Sequence, residues 1–325
     1  MTKPTPSHCN PATGAALTDT TGVSTTPPST LPIGYSALNF NALSLQIENF
    51  LVERNLRGMQ LVQPHLRPGY VLRAARLFNL PAGSTVLIGT GFPVLNTFET
   101  DGPVGAIALY QCAEKIGLKP IILCGDPLFS VLKGHYQCYP LSVNQYQQLP
   151  NIAEQALAAL KPALVLAIER PGFGANGRYN NMRGEDISER CASFDFFLTQ
   201  ARCPTLAIGD GGNEIGMGNV AAALSQLSLA GQLTITPSVT QCDELVIADV
   251  SNWAAWGIIA MLSLLRGQNL LANAALLPIL TFLVEHGCID GVTRQPTLTE
   301  DGLPYQEGDA LISRLQALVI NNING

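Results

Sequence analysis

Residues 204–219 read PTLAIGDGGNEIGMGN, and the order of residue types in this stretch decides the fold class. A short apolar run bounded by glycine reads as a buried strand. Five glycines between 209 and 218, with Asp210, Asn213 and Glu214 among them, read as a loop that a ligand can approach closely. The same unit recurs along the chain. Apolar runs at 85–88, 120–124, 163–168, 204–208 and 245–248 alternate with helix-like stretches at 103–116, 145–160, 187–201 and 220–227. Buried strands alternating with helices predict an α/β fold, a mostly parallel sheet with helices on both faces.

Working outward, Leu43, Ile47, Phe50 and Leu51 recur at i, i+4, i+7 and i+8, the spacing of an amphipathic helix. Residues 1–32, rich in Thr, Pro, Ser and Gly, are expected to be a flexible tail, and 33–325 one α/β domain. The apolar stretches 253–265 and 274–284 are shorter than the ~20 residues a bilayer span needs, so they read as buried helices. Asp290-Gly291 and Asp301-Gly302 signal turns around a short β excursion, and 308–320 is expected to be the last helix.

Composition narrows the function classes. Charged residues make up only 13% of the 325, about half the roughly 25% usual for globular chains, which points to surface buried in a homo-oligomer. The net charge is −6 and no run of Lys or Arg occurs, which argues against nucleic acid as a partner. The eight cysteines form no CxxC pair, and no secretory h-region is present, so a reducing, cytoplasmic setting is expected. His8, His65, His135 and His286 lack zinc-ligand spacing. Neither a P-loop, a GxSxG elbow nor HExxH occurs, and the GxGxxA match at 216–221 lies too far past its strand to be a strong dinucleotide signal.

In an open α/β sheet, ligands bind beyond the carboxyl ends of the strands, so an acidic site is expected there. After 85–88 come Glu99 and Asp101 beside Gly102-Pro103; Asp101 either caps the following helix or ligates a hard cation, and the two are compatible. After 163–168 comes Glu169, a carboxylate leaving an apolar strand, which demands a ligand or an ion pair with Arg170 or Arg183. After 204–208 come Asp210, Asn213 and Glu214; a helix starting by Asn213 would put Glu214 in its first turn, near N–H groups suited to an anion. Asp243, Asp249, Asp290 and Asp301 read as turn or cap residues, and Trp253 and Trp256 as core or interface.

These loops together resemble the C-terminal domain of the D-glutamate cyclase family. The likeness rests on Thr90-Gly91-Phe92, Glu99-Thr100-Asp101-Gly102-Pro103, Glu169-Arg170-Pro171-Gly172 and Tyr179-x-x-Met182-Arg183-Gly184. It continues through residues 209–218, Val250-Ser251-Asn252-Trp253 and Asp290-Gly291-Val292-Thr293. The resemblance implies cyclisation of D-glutamate to 5-oxo-D-proline and, through related microbial proteins that look like manganese-dependent phosphatases, dependence on a divalent metal.

Three functions follow for test. In the first, Asp101, Glu169, Asp210 and Glu214 hold Mn²⁺ or Mg²⁺, which polarises a carboxyl group of a small acidic substrate. Arg170, Arg178 or Arg183 clamps the other carboxylate, with Gly211, Gly212 and Asn213 against the substrate. Glu99 or Glu169 moves protons, and Asp210 is indispensable. In the second, the same carboxylates support manganese-dependent hydrolysis of a small phosphate ester. The third is a non-catalytic sensor of an acidic metabolite.

Overall fold

The computed structural model describes residues 38–143, 149–231 and 236–323; the expected tail, 1–32, lies outside them. Six parallel strands form the central sheet: β1 (Thr85–Gly89), β2 (Lys119–Cys124), β3 (Cys138–Pro140), β4 (Leu164–Ile168), β5 (Thr205–Gly209) and β6 (Glu244–Ile247). Their spatial order is β3-β2-β1-β4-β5-β6. Val86 of β1 stands beside Pro120 of β2 on one side and Leu164 of β4 on the other. The chain therefore reverses its direction of travel between β1 and β4, and a crevice opens at their carboxyl ends, where such sheets bind ligands. The expected α/β architecture is the one observed.

Strands β4 and β5 are buried at every position, so both faces of the sheet are covered. That is why they read as unbroken apolar runs rather than alternating ones. The Ser251–Arg266 helix is buried from Ser251 through Leu264. Helices Phe40–Leu51, Tyr70–Phe78, Pro103–Lys115 and Tyr305–Ile323 pack around it. Trp253 and Trp256 lie in this core, as their helical placement suggests. Leu149–Leu160 and Asp195–Thr199 pack on each other as a second group. Short antiparallel pairs, Pro93–Val94 with Thr97–Phe98 and Thr299–Glu300 with Leu303–Pro304, stand among the loops.

Several local expectations change. Residues 187–201 do not form one helix but a 3-10 turn, Ser188–Arg190, and the short Asp195–Thr199 helix. Long-range partners claim the polar groups between them: the Ala192 carbonyl accepts from the Arg170 guanidinium, and Asp195 accepts from the Phe173 amide. The helix after β5 begins as a 3-10 turn at Met217 and becomes α-helical at Ala221–Leu229, so Glu214 precedes it. Tyr70–Phe78 and β3 were not anticipated, the latter because it is three residues long.

Candidate active site

Three of the acids named at the strand ends converge. Carboxylate oxygens of Asp101, Glu169 and Asp210 all lie within 4.8 Å of one another, and all three residues are buried. Each is delivered by a different connection: Asp101 by the loop after β1, Glu169 directly past β4, Asp210 directly past β5. Glu169 holds a left-handed backbone, φ +44°, rare for a residue with a side chain and costing about 1–3 kcal/mol, the kind of strain kept at functional positions. Gly102, at φ +91°, fits beneath it because a Cβ there would stand 2.7 Å from the Glu169 Cβ.

The start of the Ser251–Arg266 helix joins the three. Its Ser251 amide donates to Asp101 Oδ2 (2.7 Å) and Asp210 Oδ2 (3.0 Å), and the Ser251 hydroxyl donates to Glu169 Oε2 (2.6 Å). The Asn252 amide donates to Asp101 Oδ1 (2.7 Å). Asp101 thus caps a helix, but a distant one rather than the Pro103–Lys115 helix that follows it. That helix is capped in return by Asn252, whose Oδ1 accepts from the amides of Gly102 (2.9 Å) and Gly105 (2.7 Å). Unpaired first-turn N–H groups and the helix dipole favour negative charge at such ends.

Burial and mutual repulsion hold protons on these acids. Desolvation, then the charge of Asp301, pushes Asp101 up to about 7. Glu169 rises well above the usual carboxylate range through desolvation and the nearness of Glu214 and Asp101. Asp210 rises too, desolvation outweighing the opposing pull of Arg57. Glu99 rises through desolvation, then Asp301 and Asp101. So many buried carboxyls need either protons or added positive charge. The donor set fits a hard cation: all ligands are oxygen, and oxygens on one cation at about 2.1–2.4 Å stand no more than about 4.2–4.8 Å apart.

Two members of the cluster, Glu169 and Asp210, line a cavity of about 250 Å³, and Asp101 does not reach its surface. Glu99, Glu169, Asp210, Gly211, Asn213 and Glu214 line it, and Arg183, Arg190 and Arg294 join them toward the outside with Asn181, Met182 and Glu185. Among the three arginines expected to hold substrate, Arg183 alone lines this cavity, its Nη2 donating to the Val292 carbonyl at 3.1 Å. Arg170 is buried elsewhere, donating to the carbonyls of Thr90 (2.6 Å), Gly91 (3.3 Å) and Ala192. Arg178 is half exposed and faces Asp186 at 3.7 Å. Glu214 folds back on its own loop, where its two oxygens accept from the amides of Gly211 (3.0 Å) and Gly212 (2.7 Å). It stands outside the three-carboxylate group, and the amides read as free for an anion are already engaged. Asn213 lines the cavity while its Nδ2 donates to the Asn180 carbonyl (2.9 Å).

Three participants were missed from sequence. Arg57, from the turn between helices Phe40–Leu51 and Met59–Val62, reaches Asp210 Oδ2 at 2.6 Å and Asp301 Oδ2 at 2.5 Å. Asp301, read as a turn residue, lines the cavity with it. Ser251, inside the Val250–Trp253 stretch, carries no local mark of its contacts with Asp101, Glu169 and Asp210. No local pattern marks Arg57, which lies more than 150 positions from either carboxylate partner. Asp243, Asp249 and Asp290 do serve backbone amides, at Thr205, Arg54 and Gly302 among others.

A family model described as D-glutamate cyclase-like, C-terminal, matches residues 47–316. The chain belongs to the D-glutamate cyclase-like family. The human mitochondrial D-glutamate cyclase is 28% identical over 282 residues, a match that covers 71% of this chain and 45% of that protein. The chain thus spans less than half the length of this relative, which is an enzyme. Every carboxylate of the buried cluster, Arg57 and the cavity arginines fall within the D-glutamate cyclase-like segment. No helix among the described residues is long and apolar enough to cross a membrane.

Proposed function

We propose that this chain is a D-glutamate cyclase-like enzyme that closes D-glutamate to 5-oxo-D-proline with loss of water. The observation that carries the reading is the meeting of Asp101 with Glu169 and Asp210, the last two lining a cavity whose outer wall bears arginines. Asp101, Glu169 and Asp210 would hold one divalent cation, Mn²⁺ or Mg²⁺. Such a cation supplies Lewis acidity that polarises the γ-carboxyl group. Arg183 offers the α-carboxylate a guanidinium fork at the cavity wall.

The bond changes balance without a further reactant. The substrate nitrogen bonds to the γ-carbon, a C–O bond breaks, and the two protons shed by the ammonium leave with that oxygen as water. Glu99 lines the cavity and holds a proton readily, so it is suited to carry protons from nitrogen to the departing oxygen. Ser251 fixes the Glu169 carboxylate through its hydroxyl.

The test is 5-oxoproline formation from D- and L-glutamate with Mn²⁺ or Mg²⁺, with and without EDTA. We expect product from the D-isomer only, lost in EDTA and in Asp210→Ala. No product under any metal removes the proposal, and manganese-dependent release of phosphate from an ester panel would put the phosphatase reading in its place.

A further inference from the structure

Arg57 has surroundings of an unusual kind for a guanidinium. Its Nη2 lies 2.6 Å from Asp210 Oδ2, 2.5 Å from Asp301 Oδ2 and 2.9 Å from the Asp249 carbonyl oxygen. Three oxygens from three segments therefore close on one nitrogen, two of them from carboxylates. Its Nε also donates to the Asp210 carbonyl at 3.3 Å. Oxygen shells of this composition are what hard cations take from proteins.

Asp210 belongs to two groups at once. It is one of the three carboxylates within 4.8 Å of one another, and it is also the partner of Arg57. In two-metal sites a carboxylate commonly stands between ions about 3.5–4 Å apart, and the second ion completes the clamp on a phosphoryl group. Here a guanidinium nitrogen stands against Asp210, the carboxylate that such a pair of ions would share.

The structure assigns Arg57 the role of a built-in second cation, which fixes the site at one exchangeable divalent metal. This rests on the metal-assisted reading above and deepens it. One Lewis acid beside a fixed guanidinium suits activation of a single carboxyl group. It does not supply the paired-ion clamp of two-metal ester hydrolysis. Removing the positive charge would leave Asp210, Asp301 and the Asp249 carbonyl free to take a metal ion in its place.

The experiment is a count of bound Mn²⁺ per chain, by mass spectrometry of the metal after desalting and by calorimetric titration. Wild type and Arg57→Lys are expected to bind one equivalent, and Arg57→Gln two. Circular dichroism and thermal melting report whether Arg57→Gln is folded. Should it not fold, wild type and Asp301→Asn decide the matter. Asp301→Asn is expected to keep one equivalent with affinity changed by less than about tenfold, or about 1.4 kcal/mol. Two equivalents in wild type, one in folded Arg57→Gln, or loss of the metal in Asp301→Asn each overturns the role of Arg57 and leaves the cyclase reading standing. No metal in wild type removes both.

Discussion

Glu300 accepts a hydrogen bond from Asn252 Nδ2 at 2.8 Å in a fully buried setting behind the acid cluster. Desolvation, then the charge of Asp101, pushes it from its ordinary 4.5 up to about 8. As pH rises, the unfolded chain loses this proton first, while the folded chain keeps it. The unfolded state thus binds fewer protons between pH 4.5 and 8, and stability falls across that window. Glu300→Gln keeps a neutral acceptor for Asn252, so its chemical-denaturation midpoint should fall less steeply with pH than that of wild type between pH 5 and 8. An equal slope in both proteins would show that Glu300 ionises normally. The same reasoning at the proposed cation site gives a second expectation. Asp101 sits near 7, and desolvation raises Glu169 and Asp210 well above the usual carboxylate range, so Mn²⁺ must displace protons. Calorimetry in buffers of different ionisation enthalpy should show proton release on binding at pH 7, and affinity should drop as pH falls below about 7. Uptake without proton release would contradict the arrangement.

At the scale of elements, the site depends on two helix starts that cap each other. Asp101 supplies the cap of Ser251–Arg266, and Asn252 supplies that of Pro103–Lys115. The exchange locks the loop after β1 to the helix after β6, although these strands lie on opposite sides of the switch point. Asn252→Ala deletes the one acceptor that the Gly102 and Gly105 amides share, and its loss of Nδ2 takes the donor from the Thr100 carbonyl and Glu300. A cost of about 2–4 kcal/mol is expected from lost capping and unpaired buried groups. Urea denaturation measures it, and a loss below about 0.5 kcal/mol, the range of ordinary surface changes, would refute the mutual cap.

For the whole molecule, buried polar pins tie together loops that the sheet itself does not hold. Asp195 accepts from the Phe173 amide (3.0 Å), from the Tyr179 hydroxyl (2.6 Å) and from Thr240 Oγ1, so it joins the loop after β4 to the segment before β6. Asp195→Ala strands these donors and should cost about 3–5 kcal/mol at neutral pH, with each orphaned group contributing about 1–3. Arg178→Ala, at an exposed pair, should stay within about 0.5 kcal/mol. Arg183→Ala should likewise leave stability nearly unchanged but raise KM for D-glutamate, because Arg183 lines the cavity and Arg178 does not. Parallel melting curves and steady-state kinetics separate the three. A raised KM in Arg178→Ala with none in Arg183→Ala would exchange their roles.

The fold and half of the site were legible along the chain because their signals are local. Strands β4 and β5 are buried on both faces, so each leaves an uninterrupted apolar run, and a carboxylate placed straight after such a run, as Glu169 and Asp210 are, has few purposes besides chemistry. Arg57, Asp301 and the cap exchange of Asp101 with Asn252 left no such mark. Their meaning comes from which oxygens they face across more than a hundred residues, and no periodicity or turn rule carries that. Sequence determined that an α/β sheet would present acids at its strand ends. Only tertiary structure decided which acids meet, which arginine neutralises them and which arginines are spent elsewhere, because desolvation and charge pairing depend on distance in space.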